Sequence, residues 1–493
     1  ELANVNQVTQ AQEPEAVHAG LAETEQNDKS IAVLPFINMS SDPEQEYFSD
    51  GITEEVLNLL AKIPELKVTS RSSAFSFKGQ NIDIPTVAAK LSVAHVLEGS
   101  VRKSGNRVRI TAQLIEADSD VHMWSETYDR ELDDIFVIQD EISREVVTAL
   151  QVQLFGKAPS VAPTDTEAYN LFLKGKHFDA LGEREPWENA VTAFQAAIAI
   201  DPDYAPAWAA LSVVQQSLAN LSYIERNAGF ESARQSAIRA LELDDGLADA
   251  WAALARIQNT FDMDWDRAEG TIRTALQYGP RNVVALESAS AIARTTGQME
   301  QSIAYAQQAV ELDPLSLTSL RTLGVAYWAA GRHAEAEKSF RRILELYPEQ
   351  MTIKAFVASS LALQHRPEDA RRFIDFNSDN PWQRFASVLV LQELGRQEDA
   401  EKVLQNLILN EGEAMAYQVA CIHAVQGATD MAFEWIELAY RQKDGGLSQL
   451  LYDPFLLNLH ADPRWEEVLL KTGMLDYWNE LQADNDSGSS LNG

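Results

Sequence analysis

The chain has 493 residues, a formal net charge of −34 and one cysteine. So acidic a balance argues against a nucleic-acid-binding surface spread along the chain, and for high solubility or a salty environment. A single thiol, Cys421, excludes an internal disulfide framework, and no run of 18 apolar residues exists that could span a membrane.

Residues 1–29 are polar and acidic, rich in Gln, Glu, Asn and Ala, with no sustained apolar face. They are expected to form a flexible tether, or a tail that docks on a neighbouring copy. The first residue is Glu1 rather than Met. That is expected of a chain cut by signal-peptide processing or beginning just past a membrane helix, so membrane attachment would come only through a segment outside it.

From Ser30 the character changes. SIAVLPF is a short apolar run rich in β-formers, as suits a buried strand. Asp50 is placed to cap a helix over about 51–62 whose Ile52, Val56, Leu59 and Leu60 share one face. A second strand, LKVTS, and a helix around 86–91 follow. The segments VAHVLEGSVRKS, RVRITAQLIEA and VHMWSETYDR then read as an antiparallel meander, turned at Gly105-Asn106, with alternating Val108, Ile110, Ala112 and Leu114. A helix over about 134–150 closes the unit. The expectation is an α/β domain over 30–155, of order β-α-β-α-β-β-β-α with a mixed sheet.

Residues 156–166 are rich in Pro, Gly and small polar residues and read as a linker. Beyond them a period emerges. A closing position recurs at Pro202, Asp245, Pro280, Pro314, Pro348 and Pro381, in steps of 43, 35, 34, 34 and 33 residues. Six residues after the first two stops stands a Trp, Trp208 and Trp251, and four further on a small residue at each of the first five: Ser212, Ala255, Ser290, Gly324 and Ala358. A second-helix triplet repeats in the same phase, as Ala190/Phe194/Ala197 and Ala336/Phe340/Ile343. This spacing resembles the tetratricopeptide repeat, and the resemblance implies an all-α superhelical solenoid over 167–474 of about seven or eight hairpins. The longest step contains LSYIERNAGF, an insertion that should lengthen one hairpin. Residues 475–493 lose the period and are expected to fray.

The wording of the first unit is also familiar. IAVLPF, DPEQEYFSDGITEEV, TSRSSAFSFKG, LEGSVRKSGNRVRITAQLIEA and WSETYDRELDDIFVIQDEI, in that order, closely resemble the TolB amino-terminal-like domain, related to CsgG- and FlgO-type envelope proteins. The resemblance implies a bacterial protein, periplasmic or extracellular rather than cytoplasmic. Its relatives often join this unit to a winged-helix or adenylate cyclase domain, and neither motif set occurs in this chain. LLYDPFLLNLHADPRWEEVLLKTGM resembles the usual ending of such proteins.

Motifs for chemistry are sparse. There is no GxxxxGK[ST], HExxH, paired CxxC or GxSxG, and the eight histidines are scattered. No catalytic residue, cofactor or metal is expected. Two sets read as contact surfaces. Lys67, Arg71, Lys78, Arg102, Lys103, Arg107 and Arg109 form a basic island in an acidic chain, suited to docking on the acidic solenoid of the same or a neighbouring molecule. Arg256, Asn259, Glu287, Arg294, Arg321 and Trp328 fall on groove-facing positions of first helices, a set suited to a protein or peptide ligand. The expectation is a non-enzymatic interaction scaffold of the bacterial envelope that self-associates through the tail, the basic patch or open solenoid ends. The alternative is the periplasmic sensory part of a membrane-bound transcriptional regulator or adenylate cyclase.

Overall fold

A computed structural model describes residues 29–489, apart from 41, 43–44, 62, 64–65, 81, 132–134, 150–163, 180–183 and 221–222. The expected N-terminal tail and most of the expected linker lie outside the described residues.

The first domain begins with β1 (Ser30–Val33), β2 (Ile37–Asn38), α1 (Glu46–Ala61), β3 (Lys67–Val68), α2 (Arg71–Phe75) and α3 (Ile84–Leu91). The meander β4 (His95–Ser104), β5 (Arg107–Glu116) and β6 (Val121–Glu131) follows, and α4 (Ile135–Ala149) closes the unit. The sheet runs β3-β1-β4-β5-β6, with β2 beside β4. β1 is parallel to both β3 and β4, whereas β4, β5 and β6 are antiparallel, so the sheet is mixed as expected. Val108, Ile110, Ala112 and Leu114 are fully buried, because a period of two sends every second side chain to the same face.

The helix expected to start at Gly51 starts at Glu46 instead. Asp50 is therefore not its cap. It sits inside the helix, buried, with its carboxylate 2.5 Å from Lys78 Nζ and 3.5 Å from His177 Nδ1. The α3 helix carries the cap its sequence offers: Asp83 accepts from the Thr86 amide at 2.9 Å.

The second part is a helical solenoid. Its pairs are α5 (Thr166–Asp179) with α6 (Arg184–Ile200), α7 (Ala205–Asn220) with α8 (Arg226–Leu243), and α9 (Ala248–Ile257) with α10 (Trp265–Tyr278). Next come α11 (Val283–Thr295) with α12 (Met299–Leu312) and α13 (Leu317–Ala329) with α14 (His333–Leu346). The last are α15 (Met351–Leu363) with the short α16 (Pro367–Ala370), α17 (Pro381–Glu393) with α18 (Gln397–Glu411), and α19 (Ala416–Val425) with α20 (Thr429–Arg441). The insertion shows as length: α7 and α8 have 16 and 18 residues, against 13 and 14 in α13 and α14.

The six-residue phase has a chemical cause. Trp208 Nε1 donates to the Pro202 carbonyl at 2.9 Å, and Trp251 Nε1 to the Asp245 carbonyl at 2.7 Å, so each indole ties its helix to the preceding stop. Gly324 is glycine because a Cβ there would overlap the Phe340 ring of the partner helix.

Of the tail expected to fray, residues 475–489 are helical instead, and residues 490–493 lie outside the described residues; the described C-terminal segment is ordered into two helices. It forms α21 (Arg464–Thr472) and α22 (Leu475–Ser489) and packs back on the middle of the solenoid. Trp265 Nε1 donates to the Thr472 carbonyl at 2.9 Å, Tyr477 donates to Asp266, and Leu481 lies against Gly297. The reason is apolar content the repeat period does not register: Trp465, Leu469 and Met474 are buried in the same core as Trp265.

Candidate functional site

The two parts share their cores. Ile52, Val56 and Leu60 of α1 and Ile135, Ile138 and Ile142 of α4 cover one face of the sheet, and the same cluster continues into Tyr169, Phe172, Phe194 and Leu211 of the solenoid. On the other face, Val87 and Leu91 of α3 pack with Val96 and with Leu315, beyond α12. Polar contacts fix the joint. The Ser70 amide donates to the Leu312 carbonyl at 2.7 Å, and Arg281 Nη1 donates to the Leu66 carbonyl at 3.1 Å. The TSRSS stretch thus docks where α12 ends at the Asp313-Pro314 stop.

Where α1 meets α5, Glu54 is held between Arg71 Nε at 2.9 Å and Lys176 Nζ at 3.1 Å. Burial pushes the Glu54 carboxyl up, but the two cations outweigh it and hold it below its ordinary value. Lys176 is raised in turn, chiefly by Glu54. Asp179, one turn along, is pushed up by burial.

The basic island is not one surface. Arg71 and Lys78 face inward and neutralise Glu54, Glu46 and Asp50 at the joint. Arg107 and Arg109 bracket Asp129 on the neighbouring strand at 2.6 and 2.5 Å. Arg102 donates to the Met39 carbonyl at 3.1 Å, and Lys103 lies 4.6 Å from the Phe48 ring centroid. Lys67 is half-buried in β3. The charges come from different elements, and Arg71, Lys78, Arg107 and Arg109 answer acids some 17 to 32 residues away in sequence, while Arg102 meets a carbonyl and Lys103 a ring.

The groove set separates into four. Arg256 of α9, Glu287 of α11 and Arg321 of α13 converge at one electrostatic centre. Both residues are exposed, and the packing around their guanidinium groups still desolvates them enough to hold them below their usual range. Burial pushes Glu287 up to about 7, against the pull of a hydrogen bond from Ser319 Oγ at 2.7 Å. Neither Arg256 nor Arg321 has an ion-pair partner within 4.0 Å among the described residues. Arg294 instead donates from Nε to Tyr452 Oη at 2.7 Å, covered by the returning chain. Asn259 is buried in a π-helical turn, Gln258–Asp262.

Trp328 belongs to a different feature. It lines a cavity of about 70 Å³ with Phe340, Phe356, Trp382, Phe385, Phe455 and Asp453. Asp453 accepts from the Phe455 amide at 2.9 Å, from Tyr417 Oη at 3.1 Å and from Cys421 Sγ at 3.6 Å. Cys421 is a buried thiol with its pKa pushed up by burial, consistent with packing in a late repeat. Asp453 and Phe455 were missed in the sequence reading. The signal was a lone carboxylate inside the apolar run LLYDPFLL. No helix among the described residues is long and apolar enough to cross a membrane.

Comparison with known proteins divides the chain similarly. The tetratricopeptide repeat family matches at 264–316, 292–351 and 321–375. Residues 27–145 match the family described as HilA/YgeH-like transcriptional regulator, second domain, rather than a TolB-like one. Among solved structures, Pseudomonas aeruginosa pilF is 22% identical with a TM-score of 0.32, covering 41% of this chain and 92% of that one. A tetratricopeptide repeat protein from Parabacteroides merdae is 14% identical with a TM-score of 0.36, covering 55% and 98%. A curated protein of Rhizobium meliloti (strain 1021) named "Putative adenylate cyclase 3" is 45% identical over 193 residues, 38% of this chain. The match spans about a third of that relative's length, 32%.

Proposed function

We propose that the protein is a non-enzymatic interaction scaffold of the bacterial envelope, which holds a protein or peptide partner on the concave face of its solenoid. The observation that carries this reading is the pair Arg256 and Arg321, exposed yet partly desolvated and without an ion-pair partner among the described residues. Desolvated guanidinium groups with donors free suit a carboxylate-bearing segment, which they can bind bidentately. The partner is a protein and not a nucleic acid, a reading the net charge of −34 supports. Export to the periplasm or beyond is part of this reading and rests on the resemblance of the first unit's motifs to TolB amino-terminal-like domains. That unit's match to a transcriptional-regulator family favours the second reading below. Fluorescence anisotropy with a labelled oligoglutamate peptide tests the groove. Arg256→Ala and Arg321→Ala should each weaken binding about tenfold, whereas equal binding by both variants would overturn the site. Cell fractionation with N-terminal sequencing of the native protein tests the location.

A second reading is favoured by the 45% identity to part of a protein named as an adenylate cyclase. On it, the chain is the sensory portion of a larger signalling protein, and partner binding is passed to an effector domain. A cyclase or DNA-binding domain joined to it across a membrane helix in the full reading frame decides for this reading. A cleavable signal peptide there decides for the first.

A further inference from the structure

Six aromatic side chains close a ring around the cavity of the late repeats. Trp328 and Phe340 have centroids 6.4 Å apart, Phe340 and Phe356 5.4 Å, and Phe356 and Trp382 5.4 Å. Trp382 and Phe385 follow at 6.3 Å, Phe385 and Phe455 at 5.7 Å, and Phe455 returns to Trp328 at 5.8 Å. They come from α13, α14, α15 and α17, and the circle is completed by the returning C-terminal segment. Trp328, Phe356 and Trp382 are half-buried and form the mouth, while Phe340, Phe385 and Phe455 are buried.

Core packing alone does not account for this arrangement. Well-packed aromatic clusters interdigitate and leave few voids, yet these rings leave about 70 Å³. An apolar void would also not be lined by a carboxylate, and Asp453 is 6% exposed within the lining. Its three hydrogen bonds come from the Phe455 amide, the Tyr417 hydroxyl and the Cys421 thiol, all formally neutral. No Lys, Arg or His pairs with it among the described residues, and none lines the cavity. A buried negative charge lacking a cation is costly, and burial, against the pull of the three hydrogen bonds, pushes its carboxyl up to about 6.

We infer that the aromatic ring and Asp453 form a binding site for a small organic cation bearing a methylated ammonium head group. Ring faces attract such a cation through their quadrupoles, most strongly when it is desolvated, and the head group needs no hydrogen-bond donors. The carboxylate at the same cavity supplies the countercharge. A water cluster is a poorer occupant, because each buried water needs two to four polar partners and the wall offers few beyond Asp453, Gln418 and Ser359. The site is distinct from the Arg256–Arg321 pair, whose charge has the opposite sign.

Isothermal titration at pH 8 with choline, and with its uncharged isostere 3,3-dimethyl-1-butanol, tests the assignment on the full chain. Choline should bind saturably and at least ~10-fold more tightly than the isostere. Asp453→Asn and Trp382→Leu should each weaken choline by about tenfold, with unchanged circular dichroism. Equal binding of the two compounds would make the cavity merely apolar, and no saturable binding of choline would remove the site. Both results overturn the inference without relying on a variant that must fold.

Discussion

Asp313 accepts hydrogen bonds from both the amide and the hydroxyl of Ser73, 240 positions earlier in the chain, at 2.9 and 2.5 Å. The Leu315 amide donates to the same hydroxyl at 2.6 Å, so a repeat stop and the start of a helix in the α/β domain are locked by one buried node. Hydrogen bonds to a charged acceptor are worth more than neutral ones, and truncating the acceptor strands its buried donors. Asp313→Ala should therefore lower stability by about 2–3 kcal/mol in urea titration, and Asp313→Asn should recover part of it. A midpoint unmoved by the alanine change would mean that the two parts are not coupled through this node.

Glu54 is a second lock, built on charge. Removing it leaves Lys176 and Arg71 facing each other in a buried joint, at a cost of about 3–5 kcal/mol for breaking such a pair. Glu54→Ala should approach that loss, while a Glu54→Leu/Lys176→Met double variant should recover much of it, since an apolar pair needs no charge compensation. Its folded pKa is lowered, so the stabilisation is present above the unfolded value of about 4.3 and disappears as pH falls through the folded one. Denaturant midpoints below and above that value check the sign.

Glu287 behaves in the opposite direction. It faces Ser319, Asp313, Arg256 and Arg321, and burial raises its folded pKa to about 7. Between the unfolded value of about 4.3 and 7 the native state then holds more protons than the unfolded chain, so this contribution is present at low pH and lost as pH rises. Some area of the residue stays accessible, which brings the full-shift value down to about 1–2 kcal/mol. Glu287→Gln should flatten the dependence of Tm on pH across that window relative to wild type. A variant curve parallel to the wild type would show that Glu287 titrates normally.

These locks explain which parts of the architecture the residues disclose and which they withhold. Helical pairing was legible because Pro314, Pro348, Gly324 and Phe340 act within one or two adjacent helices, and local sterics repeat with the chain. The meander was legible for the same reason, since Val108 to Leu114 alternate within one strand. The joint was not, because Ser73 meets Asp313 and Glu54 meets Lys176 only once the solenoid has packed against the domain. Groove positions were located by phase, yet phase carries no information about what covers them. Arg294 came to lie under Tyr452 and Trp328 beside Phe455 because the C-terminal segment turns back, driven by Trp465 and Met474 seeking the core around Trp265.

The repeated indole contacts give the last test, because they separate local tethering from general packing. Trp208 and Trp251 each combine an apolar body on a neighbouring hairpin with one hydrogen bond to the preceding stop. A phenylalanine keeps most of the body and loses only the donor, so Trp208→Phe and Trp251→Phe should each cost about 1 kcal/mol. In a solenoid, stability is a sum of repeat and nearest-neighbour terms, and the two indoles serve different stops. The double variant should therefore lose close to the sum, within about 0.5 kcal/mol, in a urea titration followed by circular dichroism. A double loss well below the sum would show that the two hairpins share one tether, and would break the view of each stop as an independent stitch in the stack.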